Sequence, residues 1–308
     1  MITANHDELI KHHMKQAITT NINHCDLQNL LYSFIETKQQ CHFGSITIIH
    51  HHAFRGEDPE VFKLAAAVEL LLLSFDIFDD LEDLDNKNEL WMQMDSSIAL
   101  NAATTLYTLS QQTVISLSAA SKFKILQTFL TFASQAMEGQ HDDLKNSANT
   151  EEEYMNVMKR KSGSLIALSA QSGMLLANTF HPEVEQYSYQ IGIAAQIDND
   201  FRDLFNPEKN DLLKEKRSLA RLYLQKNFNQ HARELMAFYR SNKTIEEEFG
   251  SFKAYKEKLF HAGVAQYMNV MKNISLNRAA RIIDKLDIDL EAIDMIKSKL
   301  IFSKKIAQ

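Results

Sequence analysis

Residues 64–75, LAAAVELLLLSF, are apolar apart from Glu69 and Ser74 and hold no glycine or proline, and they run without a break into DIFDDLEDLD, residues 76–85. An apolar run of this length predicts a buried helix, and nothing in the acidic stretch stops it. The chain must therefore carry a core helix to an end bearing Asp76, Asp79, Asp80, Glu82, Asp83 and Asp85, with no base before Lys87. Helical spacing puts Asp79 and Asp83 on one face, with Asp76 and Asp80 on neighbouring rows. Like charges so placed repel, and near a helix C-terminus they also oppose the dipole. For an arbitrary charge run, a solvated helix end is the ordinary reading. Set directly on a core helix, these charges call for cations, and oxygen ligands suit Mg²⁺, which takes one or two carboxylates together with phosphate oxygens and water.

A second stretch answers the first. GIAAQIDNDFRDL, residues 192–204, again runs from small apolar residues into acids, and Asn199 and Asp203 repeat the four-residue spacing of Asp79 and Asp83. Two such helices facing each other across a bundle cradle several Mg²⁺ ions and a diphosphate.

The remaining chain supports an all-α fold. Of 308 residues, 8 are Gly and 3 are Pro, and no proline-rich or serine-rich linker divides them, so one helical domain over 1–308 is the simplest expectation. Residues 6–37 read as an amphipathic helix or helix pair. GSITIIHHH, 44–52, is β-branched but reads as a buried helix in this context. Its triplet His50, His51 and His52 invites a metal, yet adjacent residues do not share a helix face. Asp58-Pro59-Glu60 opens the long acidic helix, Asp95-Ser96-Ser97 a helix to about Leu117, and 120–146 forms another. Thr150 and Glu153 make a capping box opening a helix through Lys161 to about Leu176. His181-Pro182-Glu183 opens the helix bearing the second acidic stretch, and Asn206-Pro207 closes it. From Leu212 to Gln308 four helices are expected, with breaks near Asn227, Lys243 and Ser275.

A net charge of −7 argues against nucleic acid as partner. Cys25 and Cys41 lack metal-site companions and read as free thiols, and no uncharged run reaches the roughly 20 residues of a membrane span. A cytoplasmic protein without stable membrane insertion is the expectation.

DDLED, 79–83, resembles the first aspartate-rich motif of the trans-isoprenyl diphosphate synthases, DDxxD. QIDNDFRD, 196–203, resembles their second, Q-I-x-D-D-x-x-D, with Asn199 in place of its first aspartate. EGQHDDL (138–144), KSGSLIALS (161–169) and DLLKEKRSL (211–219) resemble three further segments of that superfamily, in its order. The resemblance implies a helical bundle around a central Mg²⁺ and diphosphate cavity, and a homodimer, although no stripe in the sequence marks an interface. It implies Asp79, Asp83 and Lys161 as catalytic residues. Asp79, Asp80, Asp83, Asn199, Asp200 and Asp203 become candidate metal ligands, for three ions with bound diphosphate. Lys161, Lys216, Gln140, Gln196 and Phe75 become candidate substrate contacts. Phe75 lies one turn before Asp79 and would face the prenyl tail. Asn199 keeps an oxygen ligand but weakens the charge of the second site.

The departures narrow the function. Where chain-elongating synthases place G-K-R and R-R-G to bind isopentenyl diphosphate, this chain reads FGSITII (43–49) and DNKNELW (85–91), leaving Lys87 as the cation. Each lost charge-assisted contact is worth roughly 1.5–3 kcal/mol. DDLEDLDN with LW downstream, GQHDDL and SGSLIALS resemble the ComQ-type isoprenyltransferases. That resemblance implies transfer of a geranyl or farnesyl group to a tryptophan of a competence pheromone precursor peptide. A terpene synthase, a chain-elongating synthase and a non-catalytic regulatory subunit of the same fold are the alternatives.

Overall fold

The computed structural model describes residues 4–206, 212–213 and 216–301. The Pro207 helix stop and the expected reach of the last helix to Gln308 lie outside them. The described residues form helices and no strand. The first 37 residues give the pair α1 (Ala4–Asn21) and α2 (Cys25–Thr37). The β-branched segment is α3 (His42–Ala53), buried along most of its length, so packing overrides its strand propensity. Two of the triplet's histidines are structural: His50 is fully buried, with ring nitrogens 2.7 Å from the Ile46 carbonyl and 2.6 Å from the Tyr187 hydroxyl, and His51 Nε2 accepts the Asp58 N–H. Burial pushes the His50 imidazole down to about 4, so it is neutral at pH 7.

The acidic run rides on α4 (Val61–Asp83), which packs on α1, on α3 and on α5 (Ser96–Ile115). Fourteen of its 23 residues are buried, as a hydrophobic helix at the centre of the bundle requires. The Asp58 side chain accepts the Glu60 N–H in the turn that opens this helix. It ends with Leu84 in the left-handed region at φ 56°, which leaves Asp85 beyond the helix and turns the chain sharply.

Next come α6 (Lys122–Leu144), α7 (Glu151–Met158), a π-helical turn at Lys159–Gly163, α8 (Ser164–Leu176) and α9 (Glu183–Asp203). The Thr150–Glu153 capping box is present. The π turn inside the expected Thr150–Leu176 helix is a departure from the sequence reading. Its cause is close packing on both sides. A Cβ on Gly139 of α6 would lie 2.3 Å from the Lys161 nitrogen, and one on Gly192 of α9 would lie 2.4 Å from the Gly163 Cα.

The C-terminal third departs further. It forms α10 (Leu219–Gln225), α11 (Gln230–Phe238), α12 (Ile245–Phe249), α13 (Phe252–Ala262), α14 (Val264–Ile283) and α15 (Leu290–Leu300). The breaks near Asn227 and Lys243 hold. Ser275 instead lies buried in the middle of α14, and the further breaks fall at Gly250 and Gly263, both with positive φ, and at residues 284–289. Among the described residues no helix is long and apolar enough to cross a membrane.

Candidate active site

The π turn is the joint of the site. A π turn adds one residue per turn, so neighbouring side chains leave it towards different helices. Lys161 Nζ lies 3.1 Å from Asp79 Oδ1 of α4 and 2.9 Å from Asp143 Oδ2 of α6. Its neighbour Ser162 donates to Gln196 Oε1 of α9 at 2.6 Å, and Gln196 in turn donates to Asp200 Oδ1 at 2.8 Å. One dipeptide thus ties the first acidic motif to the second. Burial works to lower the Lys161 ammonium, but Asp79 and then Asp143 outweigh it and hold it above the ordinary lysine range. Desolvation pushes the Asp79 carboxyl up by more than Lys161 pulls it down, and Asp83 one turn on adds to the rise. Lys216, from the segment after α9, reaches Asp83 Oδ1 at 3.0 Å.

The donors fit Mg²⁺. Asp79 and Asp83 offer oxygen ligands on one helix face, and Asp79 is a desolvated carboxylate that gains from added positive charge. Among the described residues no three His, Cys, Asp or Glu side chains converge to hold a metal unaided. Mg²⁺ characteristically needs no such cage, since phosphate oxygens and water complete its shell. Gln140, one turn before Asp143 on α6, has both ends of its amide buried without a hydrogen-bond partner. An unmade hydrogen bond on a buried group costs about 1–3 kcal/mol, and a bound ligand would recover it.

A model of the polyprenyl synthetase family matches residues 28–256. The tryptophan prenyltransferase ComQ of Bacillus spizizenii is 38% identical over 280 residues, covering 90% of this chain and 100% of that protein. ComQ of Bacillus subtilis strain 168 is 39% identical over 290 residues, covering 94% and 96%. The chain belongs to the polyprenyl synthetase family, among its ComQ-type prenyltransferases. The fold agrees: a geranylgeranyl pyrophosphate synthase from Corynebacterium glutamicum, in complex with isoprenyl diphosphate and magnesium, superposes with a TM-score of 0.82 at 16% identity over 99% of this chain and 100% of that one.

Within this ComQ-type site the other expected residues fall into distinct places. Asp80 is buried and occupied: Asn86 Nδ2 donates to one oxygen at 2.5 Å and Trp91 Nε1 to the other at 2.7 Å. The left-handed Leu84 is what lets DNKNELW fold back to make these bonds. Asp200 is buried too and accepts from the Tyr154 hydroxyl at 3.1 Å. Asn199 is exposed and its carbonyl oxygen accepts from Arg202, while the preceding Asp198 pairs with Lys272 at 2.5 Å. Asp203 is half-buried at the end of α9. Phe75 is half-buried, its ring stacked on Tyr107 of α5 at 6.2 Å and tilted against Phe78 at 6.5 Å.

Sequence reasoning missed four partners. Asp143 lies inside the quoted EGQHDDL run but received no role. Ser162 and Tyr154 gave no signal beyond their neighbourhood. Lys38, between α2 and α3 and outside the 43–49 and 85–91 segments, adds a further cation near the first motif. Its ammonium lies 3.1 Å from Glu69 and 3.8 Å from Asp76. Two carboxylates thus neutralise it, so it offers little charge to a second diphosphate.

Proposed function

We propose that the protein ionises geranyl or farnesyl diphosphate at a cluster of three Mg²⁺ ions and transfers the prenyl group to a tryptophan of a pheromone precursor peptide in the cytoplasm. The observation that carries this reading is the contrast between two sets of cations. Lys161 and Lys216 stand directly on the first motif, where an allylic diphosphate needs them, whereas Lys38 is consumed by Glu69 and Asp76. The names of the ComQ relatives support the choice of acceptor.

Asp79 and Asp83 would hold the metal from α4, with Asp200, Asp203 and Asn199 bordering it from α9. Asp80 supports the loop behind them rather than the ions. Magnesium, when bound, supplies the positive charge that stabilises the departing diphosphate. Lys161 and Lys216 add fixed ammonium charge beside it, and in a dry site such charge counts for far more than in water. Gln140 offers an amide N–H to a diphosphate oxygen. The rings of Phe75, Phe78 and Tyr107 exclude water and present π faces to an allylic cation. Indole is a suitable trap because its C3 is electron-rich and needs no diphosphate handle.

The test combines purified protein, Mg²⁺ and geranyl or farnesyl diphosphate with nothing added, with isopentenyl diphosphate, or with a tryptophan-containing precursor peptide. One prenyl mass gained by the peptide, without elongation of the diphosphate, is the expected result. A terpene hydrocarbon or alcohol formed equally well without peptide would make this a terpene synthase. Condensation with isopentenyl diphosphate would make it a chain-elongating enzyme.

The homodimer is also proposed, and an exposed apolar stripe on α6 supports it. Phe123, Leu130, Met137 and Leu144 of α6 recur every seven residues and are exposed by 69%, 43%, 44% and 42%. A stripe of that period pairs with a second copy of itself in a two-fold contact. Leu130→Glu is expected to halve the mass measured by light scattering after gel filtration; an unchanged mass would place the interface elsewhere.

A further inference from the structure

The C-terminal helices carry a pocket that the chemistry described so far does not use. It has a volume of about 330 Å³ and lies between α9, the end of α13 and the first half of α14. Ile197 and Met268, 1% and 0% exposed, form its floor, and Phe201 and Phe260 form its walls. Phe260 is 47% exposed, yet its ring is fixed: Phe205 stacks on it at 5.2 Å and meets Phe201 edge-on at 5.2 Å. The exposed amides of Gln266 and Asn269 stand at the rim. Lys272, the cation in the lining, is held by Asp198 at 2.5 Å. A lining of this kind offers no free charge to a phosphate or carboxylate. It suits an uncharged apolar group flanked by amides, which is the description of a hydrophobic side chain within a peptide, and its volume falls in the range of about 300–1,000 Å³ typical of ligand sites.

Its place in the chain points the same way. The polyprenyl synthetase model ends at residue 256, before Phe260 and the pocket's α14 residues. The match to ComQ of Bacillus subtilis strain 168 covers 94% of this chain and, whichever end it leaves out, includes them. The pocket therefore belongs to what this chain shares with the tryptophan prenyltransferases rather than to the family-wide pattern. It is also close to the reaction. Ile197 and Phe201, four residues apart on α9, turn towards the pocket, while Gln196 and Asp200 turn from the same helix towards Ser162 and Tyr154. A helix with its side chains is about 10–12 Å across, so roughly four extended residues at about 3.3 Å each connect the two faces.

We propose that this pocket anchors the acceptor peptide by an apolar side chain about four or more positions away from its tryptophan, an inference that rests on the tryptophan reading. The indole brings no diphosphate by which to be held, and Lys38 is spent on Glu69 and Asp76. Affinity for the acceptor must then come from parts of the peptide that do not react, and energy gained there can hold the indole in place for attack. One large side chain between Phe201 and Phe260 gives the fully desolvated, aromatic-walled contact that dominates peptide and protein interfaces. Gln266 and Asn269 supply donors and acceptors for the main chain on either side of it.

The test is a split between KM and kcat, and KM does not depend on the fraction of enzyme that is folded. Phe260→Ala removes one wall, and Asn269→Trp fills the pocket from its rim; both positions are exposed, so neither change disturbs the core. Wild type and the two variants receive geranyl or farnesyl diphosphate, Mg²⁺ and either the full-length precursor peptide or a tripeptide centred on its tryptophan, which is too short to reach the pocket. Each variant is expected to raise KM for the full-length peptide on the order of 10-fold, with kcat and diphosphate release without peptide unchanged. The tripeptide is expected to react alike in all three proteins. An unchanged KM for the full-length peptide in both variants overturns the proposal. Equal impairment with both peptides overturns it too, since the substitutions would then act through α9 on the catalytic face. Failure of wild type to prenylate either peptide would instead refute the acceptor reading and take the pocket's role with it.

Discussion

Asp79→Ala and Asp83→Ala are each expected to lower Mg²⁺-dependent diphosphate release on the order of 1000-fold, because each removes a carboxylate for which the surrounding lysines cannot substitute. Neither should unfold the protein. In Asp79→Ala the Lys161 ammonium keeps Asp143 at 2.9 Å, so no buried charge is orphaned. The carboxyl of Asp79 titrates higher in the folded chain than in the unfolded one. Its contribution to stability is therefore present at acid pH and lost as pH rises through the folded value, and at pH 7 the burial cost relieved by its removal offsets the lost pairing with Lys161. Melting curves at pH 7 should show Asp79→Ala no less stable than wild type, while its turnover disappears. Normal turnover in either variant would sink the metal-cradle reading. Loss of turnover together with loss of the fold would show that the acids serve packing instead.

How much of this was legible in the chain depends on which interaction places each residue. The core helix and its acidic end were readable because apolar periodicity and charge spacing are local. The capping box at Thr150 was readable for the same reason. Lys161 and Lys216 were named from motif order alone, but which carboxylate each one meets is a tertiary fact: Lys216 is 133 residues from its partner Asp83. Lys38 was overlooked because a lone lysine in TKQQC resembles any surface lysine until α3 and α4 close around it. Asp80 has partners of the same hidden kind. It shares the acidic motif, yet a left-handed turn at Leu84 brings Asn86 and Trp91 back onto it, and no spacing rule predicts that turn. A break is expected near Ser275, but at the centre of α14 that residue is buried among packed helices, where context overrides propensity.

The π turn was the largest feature hidden from the sequence, and it supports the second large prediction, for Gly139→Ala. Judged by helix propensity alone, this change should stabilise α6 by about 1 kcal/mol. The packing decides otherwise. The added Cβ would meet backbone atoms of the π turn, 2.3 Å from the Lys161 nitrogen and 2.7 Å from its Cα, and backbone cannot rotate away as a side-chain end can. Overpacking of this kind costs about 1–3 kcal/mol, enough to reverse the sign. The displacement also falls on the residue whose ammonium bridges Asp79 and Asp143, and a shift of about 1 Å at such a position can cost on the order of 100-fold in rate. Gly139→Ala should therefore melt below wild type and, in the fraction that remains folded, release diphosphate far more slowly. Gly192→Ala pushes on the same turn from α9, through Gly163 and Ser162, and should behave alike. A Gly139→Ala enzyme that melts higher than wild type and turns over normally would mean that the turn is not held by this contact and that Lys161 owes its position to something else.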